Sequence, residues 1–229
     1  MKCIIVAILF ILPCLCNAQP AKPLLPLRFE HIAEKDGLSN NTVNEIFCDS
    51  RGFMWFGTID GLNMYDGSSL SIYRHSMIDT LSVAGNTIGS VVEDKNNNLW
   101  IGAHCSGLSM LNPFNKKCTN YFATGNAGSL TSSCDLSAVF DKNNNLWVSN
   151  RSAVSVLNKA GKTFKHYFPF GAKENNLIYK IAITGNTIWM SHAKGIKSFD
   201  IITKKFAGTK ALLTAIPADG LLRLMMKNF

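Results

Sequence analysis

Asp94-Lys95-Asn96-Asn97-Asn98-Leu99-Trp100-Ile101-Gly102, followed by Gly107-Leu108-Ser109-Met110-Leu111, is the phrase whose reading decides the fold. It recurs along the chain. Asp49-Ser50-Arg51-Gly52-Phe53-Met54-Trp55-Phe56-Gly57 precedes Gly61-Leu62-Asn63-Met64-Tyr65, and Asp141-Lys142-Asn143-Asn144-Asn145-Leu146-Trp147-Val148-Ser149 precedes Ala153-Val154-Ser155-Val156-Leu157. A shorter version runs Thr184-Gly185-Asn186-Thr187-Ile188-Trp189-Met190-Ser191 and then Gly195-Ile196-Lys197-Ser198-Phe199. The chain's four tryptophans, Trp55, Trp100, Trp147 and Trp189, are thus one position of a repeat, at spacings of 45, 47 and 42 residues. Self-similarity at that period marks stacked supersecondary units.

Each unit divides by its alternation. A first apolar run (Val43 to Phe47, Ile88 to Val92, Ala138 to Phe140, Ile178 to Ile183) ends in an Asp, Asn and Gly cluster. Those residues tolerate the positive φ of tight turns. A second short strand carries the Trp, and a third follows a further Gly with apolar residues at alternate positions, as in Leu62 and Met64 or Leu108 and Met110. A fourth closes the unit with aromatic residues: Ile72-Tyr73, Tyr121-Phe122, Phe164 with Tyr167-Phe168, and Phe206. Four short antiparallel strands per unit is the pattern of a β-propeller blade. The expectation is an all-β chain of about four four-stranded antiparallel blades in a partial or open ring. Its repeat positions are the four tryptophans with Gly57, Gly61, Gly102, Gly107 and Gly195.

The flanks read differently. Residues 1–18 hold Lys2, the nine-residue apolar run Ile4 to Leu12, and small residues before Gln19, the parts of a cleavable secretory signal ending near Ala18. That run is less than half of the roughly 20 residues a membrane helix needs, and no other stretch suits a span, so a periplasmic or secreted chain is expected. Residues 19–27 contain Pro20, Pro23 and Pro26 and read as an extended linker. The repeats then cover residues 28–206. Their opening, Arg28 to Ile32, alternates as one more strand suited to covering a sheet edge. Residues 207–229 are expected to be an incomplete blade or an irregular tail, leaving open edges for further blades or a second chain.

Composition excludes several functions. The net charge of +8 is spread over turn lysines such as Lys95, Lys116, Lys142 and Lys162, without the clustering or reading element that nucleic acid requires. Of seven cysteines, Cys48, Cys105, Cys118 and Cys134 lie beyond the signal. They show no CxxC spacing and differ in repeat position, so neither a zinc site nor any cofactor is expected. Mostly free cysteines are favoured over two bridges, with Cys48 in a strand core beside Phe47. Asp94-x-Asn96-x-Asn98 and Asp141-x-Asn143-x-Asn145 echo a calcium loop, but Leu99 and Leu146 replace its sharp-turn Gly, so both read as hairpin turns.

Connectivity selects a binding side. In four antiparallel strands the second-to-third loops and the links between blades emerge on one face, and loops on a rigid scaffold carry function. Asp60, His104, Arg151, His192 and Lys194 sit in those loops and vary against the constant frame. They are the candidate ligand-binding residues, with side chains able to hydrogen-bond sugar hydroxyls or pair with a uronate or sulfate. No catalytic residue is assigned.

Phe29-Glu30-His31-Ile32, Asp36-Gly37-Leu38-Ser39-Asn40-Asn41-Thr42-Val43 and the Trp-bearing phrases together resemble the two-component regulator propeller repeats of hybrid two-component sensors in gut-type Bacteroidetes. The resemblance covers residues 28 to about 206, with Ser149 and Ala153 replacing two expected glycines. It implies a periplasmic sensor of a glycan breakdown product, here truncated and lacking the kinase, so not itself an enzyme. A propeller-type carbohydrate-active enzyme and a protein-interaction scaffold are the alternatives; the former would need paired carboxylates or a His/Tyr/Arg group converging on the axis.

Overall fold

A computed structural model describes residues 29–158, 160, 162–171, 177–192 and 195–210. Among the described residues sixteen strands form four separate four-stranded antiparallel sheets, each in plain sequential order. The first blade is β1 (Val43–Cys48), β2 (Met54–Thr58), β3 (Gly61–Tyr65) and β4 (Leu70–Tyr73); the second is β5 (Ile88–Glu93), β6 (Leu99–Ala103), β7 (Gly107–Asn112) and β8 (Lys117–Tyr121). The third is β9 (Ser137–Phe140), β10 (Leu146–Ser149), β11 (Val154–Asn158) and β12 (Thr163–Tyr167). The fourth is β13 (Ile178–Thr184), β14 (Thr187–His192), β15 (Gly195–Asp200) and β16 (Phe206–Lys210). The innermost strands β1, β5, β9 and β13 touch in succession, which makes the sheets blades of an open propeller around one axis.

The expected turn chemistry is in place. In the first three blades an aspartate closes the turn between the first two strands. Asp49 Oδ1 accepts the amides of Arg51 and Phe53 at 3.0 Å each. Asp94 Oδ1 accepts those of Asn96 and Asn98 at 2.8 and 3.0 Å, and Asp141 Oδ1 those of Asn143 and Asn145 at 2.9 and 2.8 Å. The third turn residue is left-handed each time, Gly52 at φ 89°, Asn97 at 62° and Asn144 at 59°, which explains why only Gly and Asn occur there.

The second carboxylate oxygen reaches the tryptophan. The indole N–H groups of Trp55, Trp100 and Trp147 donate to Asp49, Asp94 and Asp141 Oδ2 at 3.0, 3.1 and 3.0 Å. A buried indole therefore has its one polar atom satisfied. Burial pushes the Asp49 carboxyl up, but the Trp55 indole, Arg51 and the Phe53 amide together outweigh it and hold the group below the ordinary carboxylate range. Burial likewise pushes Asp141 up, and the Trp147 indole with Asn145 and Asn143 bring it lower.

Each of these indoles faces the following blade. Trp55 packs with Ile88, Val91, Leu99 and Ile101, Trp100 with Leu136, Ala138, Leu146 and Val148, and Trp147 with Ile178, Ile181, Ile188 and Phe199. The glycine two residues on is required by close approach. A Cβ on Gly57 would lie 2.7 Å from Ile88 Cγ2, and one on Gly102 would lie 2.8 Å from the Leu136 carbonyl oxygen. The third blade accommodates Ser149 instead, whose hydroxyl donates to Ser137 O at 3.4 Å.

Near the axis four residues hold equivalent places, just past a register shift where one is recorded: Glu45 opposite Gly57, Ser90 opposite Gly102, Ser137 opposite Ser149 and Lys180 opposite Ser191. Ser90 Oγ accepts the Ala138 amide at 3.4 Å and Ser137 Oγ the Ile181 amide at 3.3 Å, tying each inner strand to the next. Glu45 and Lys180 instead meet across the axis at 3.2 Å, joining the first blade to the fourth.

Three expectations are corrected. Residues 29–33 form no strand; the chain instead makes a 3-10 turn at Glu34–Asp36, with the Asp36 amide and carboxylate both bonded to Ala33. Cys48 is exposed rather than a core residue, because the sheet alternation puts Phe47 on the packed face. Cys105 and Cys134 are joined in a disulfide, which differing repeat positions had argued against, since one lies in a second-to-third loop and the other in the link to the next blade. The last strand starts at Phe206 and runs to Lys210, a little past the expected repeat limit. The expected signal, linker and tail beyond position 210 lie outside the described residues.

Candidate functional site

The second-to-third loops and the links between blades do share one face, and backbone bonds stitch them together. Gly61 N donates to Asn86 O at 2.7 Å, His104 N to Thr87 O at 2.7 Å, Gly107 N to Ser133 O at 3.2 Å and Ile178 N to Arg151 O at 3.1 Å. A loop in each of the first three blades is thereby fixed by the segment that leads into the next, and the second blade's loop also by the link before it.

Between the second and third blades this stitching gathers charge. Asp135, held in a left-handed conformation at φ 56°, accepts Arg151 Nε at 2.9 Å through Oδ2 and faces His104 Nδ1 at 3.3 Å through Oδ1. The Cys105–Cys134 disulfide sits beside it, covalently joining the neighbour of His104 to the neighbour of Asp135. His104 and Arg151 side chains remain about half exposed, at 55 % and 44 %, so both reach solvent while being oriented by one carboxylate. A guanidinium that spends its Nε on a positioning carboxylate still carries outward donors suited to hydroxyl, carboxylate or sulfate oxygens.

The other candidates are placed apart. Asp60 is paired with Arg74, whose Nη2 donates to its Oδ2 at 2.9 Å and whose Nε donates to its backbone oxygen at 3.1 Å. His192 is 2 % exposed, with its ring edge-on to Phe170 at 4.6 Å, so it belongs to the interior beneath the face. Lys194 lies outside the described residues. Of the five candidates, then, the structure brings His104 and Arg151 together, leaves Asp60 a blade away and buries His192.

Sequence reasoning missed Asp135 and Arg74, the partners that orient the candidates, because both lie in links between blades. The one usable signal for Asp135 was its adjacency to Cys134, which becomes informative only once Cys105 is known to bond there. Two grooves lie elsewhere. One of about 590 Å³ runs between the link into the second blade and β8, lined by His75, Asp79, Leu81, Cys118, Asn120 and Phe122. Burial, and then the Asp79 charge, push the Cys118 thiol there up to about 12. Another of about 460 Å³ opens among the turns of the third and fourth blades at Asp141, Asn145, Asn186 and Lys204. Among the described residues no group of three His, Cys, Asp or Glu is arranged to hold a metal ion.

Residues 37–60 and 82–104 match the two component regulator propeller family, covering the lead-in, the first two strands and the loop tip of the first and second blades. Histidine kinase P4 of Formosa agariphila is 41% identical over 56 residues, 24% of this chain and 4% of that protein. The extracellular domain of the Bacteroides thetaiotaomicron hybrid two component system BT3049 superposes with a TM-score of 0.69 at 23% identity, over 81% of this chain and 26% of that one. This chain therefore spans about a quarter of the latter domain and a small part of the kinase. Virginiamycin B lyase of Staphylococcus aureus shares the fold too, with a TM-score of 0.60 at 11% identity over 78% of this chain and 59% of that one. The blade plan thus serves unlike proteins, and function has to be argued from the site. What the matched segments and the four sheets establish together is that the chain is a run of propeller blades whose first two match the two component regulator propeller model.

Proposed function

We propose that the chain contributes to the ligand-receiving propeller of an extracytoplasmic sensor in a two-component signalling system, taking a glycan-derived oligosaccharide on its loop face. The supporting observation is the group His104, Asp135 and Arg151, in which one carboxylate orients an imidazole and a guanidinium from adjacent blades toward solvent. Planar donors held in place over a rigid sheet scaffold suit sugar hydroxyls and, in particular, the carboxylate of a uronate. Ion pairing occupies two carboxylates on this face: Asp60 holds Arg74 and Asp135 holds Arg151. Binding without turnover is therefore expected, and signalling would be the task of the remainder of a longer sensor.

Isothermal titration against neutral and uronate-containing oligosaccharides, with reducing-end assays on the same samples, tests this reading. Saturable heat without new reducing ends, weakened tenfold or more by Arg151→Ala, is the expected result. Turnover would replace the sensor with an enzyme, and no heat with any member of the panel would remove the ligand assignment.

A further inference from the structure

The disulfide at the loop face has unusual company. His104 Nε2 lies 3.7 Å from Cys105 Sγ, while Nδ1 of the same ring lies 3.3 Å from Asp135 Oδ1. The imidazole thus stands between a sulfur and a carboxylate, and the far carboxylate oxygen is held by Arg151 at 2.9 Å. Were Cys105 a thiolate, the row would read thiolate, imidazolium, carboxylate, guanidinium, with alternating charge along its length. A thiolate beside an imidazolium is a stabilised one, and a sulfur that leaves as a stabilised thiolate leaves fast. Cys105 is also exposed, and Cys134 half-buried, so a thiol can approach the pair.

We propose that Cys105–Cys134 is an exchangeable disulfide, opened by a dithiol reductant, with His104 as the group that stabilises the departing Cys105 sulfur. The attacking thiolate bonds to Cys134 Sγ as the Cys105–Cys134 bond breaks, and the electron pair leaves on Cys105, which His104 Nε2–H then meets. The second thiol of the reductant displaces Cys134 and becomes its disulfide, so the reductant loses two electrons and two protons and the two cysteines gain them. Opening frees the link that carries Asp135 from the loop that carries His104. The pairing of Asp135 with Arg151 then no longer needs to coincide with its pairing to His104, and the loop face can change shape. The inference rests on the sulfur, imidazole and carboxylate geometry and stands whether or not the face binds an oligosaccharide.

The test uses the intact chain, dithiothreitol and site-resolved differential alkylation read by mass spectrometry, with Cys48 as an internal standard because it is an exposed free thiol. A neighbour that lowers a thiol's pKa by one unit raises its thiolate fraction about tenfold near pH 7. In wild type the Cys105–Cys134 bond should open about threefold or more faster than in His104→Gln, since a lower leaving-group pKa speeds exchange. In Cys134→Ser, where Cys105 is a thiol without any reductant present, Cys105 should alkylate about tenfold faster than Cys48 at pH 6, and His104→Gln in that background should erase the difference. Equal opening rates in wild type and His104→Gln would overturn the proposal. So would a Cys105 that reacts no faster than Cys48 in a Cys134→Ser protein whose near-ultraviolet circular dichroism matches wild type.

Discussion

The first three blades and the fourth reach the same strand order by different local means. In the first three, a five-residue turn is closed by an aspartate that also binds the indole; the fourth joins Thr184 to Thr187 through Gly185 and Asn186 alone. Gly185 adopts φ 58°, so left-handed backbone replaces the carboxylate as the device that reverses the chain. The register is unchanged, Trp189 lying between Ala182 and Ser198 as Trp147 lies between Val139 and Val156. What differs is burial. Trp147 is 1% exposed under the fourth blade, whereas Trp189 is half-buried. Orientation does not differ: Ile188 and Met190 beside Trp189 face the third blade, as Leu146 and Val148 beside Trp147 face the second, so alternation points both indoles the same way. Among the described blades, the aspartate occurs in the three whose indole is packed under another described sheet.

The sharpest way to break the comparison is to remove the ring from each kind of blade. Trp147→Ala should cost about 3–5 kcal/mol, the range for a large aromatic lost from a packed core. Trp189→Ala should cost less than that because part of its surface is already hydrated. Urea midpoints of the two variants measure both, and equal losses would mean that the two positions are not distinguished by burial. Next in size is Gly102→Ala, expected to cost about 1–3 kcal/mol because the new methyl group meets the Leu136 carbonyl of the next blade. The equivalent Ser191 of the fourth blade should accept Ala with little change.

Asp141→Ala should follow at about 1–3 kcal/mol, since the Trp147 N–H and two turn amides lose their acceptor. The sign of the pH effect is fixed by direction. Asp49 and Asp141 are lower in the folded chain than in the unfolded one, so their contribution is present above the unfolded carboxylate value of about 3.9 and is lost as pH falls through the folded value. Melting temperatures recorded from pH 7 to pH 2 should drop less steeply for Asp141→Asn than for wild type. The smallest effect belongs to the loop face. Arg151→Ala removes a half-exposed ion pair and should shift stability by less than about 1 kcal/mol, while reducing oligosaccharide binding if that face receives the ligand.

The fold was legible because its determinants repeat. Period 2 within strands, a left-handed turn residue three past each aspartate and a small residue two past each indole are local rules, and four copies make each copy readable. Ser149 shows the tolerance of that frame, since a hydroxyl that finds a carbonyl can stand where glycine was expected. The candidate site was half legible for the opposite reason. Its loops were located by strand parity alone, but which loop residues meet depends on segments that do not repeat. Strand parity puts His192 in a second-to-third loop like His104, yet it ends its strand opposite Ile178, as Ala103 does opposite Ile88, and is covered by Phe170, while His104 is open to solvent. Asp135 and the bond between Cys105 and Cys134 belong to a link between blades, where no second copy exists to read against. The same holds for Glu45 and Lys180, which occupy the place that serine fills in the two middle blades.

That last pair changes how the stack should come apart. Units that touch only their neighbours fray independently from either end, as in a linear array. The contact between Glu45 and Lys180 spans 135 positions and makes the first and fourth blades neighbours as well. Even a link worth no more than about 1 kcal/mol in solvent gives these two sheets a shared reason to open or stay shut, so amide exchange in β1 and β13 should rise and fall together.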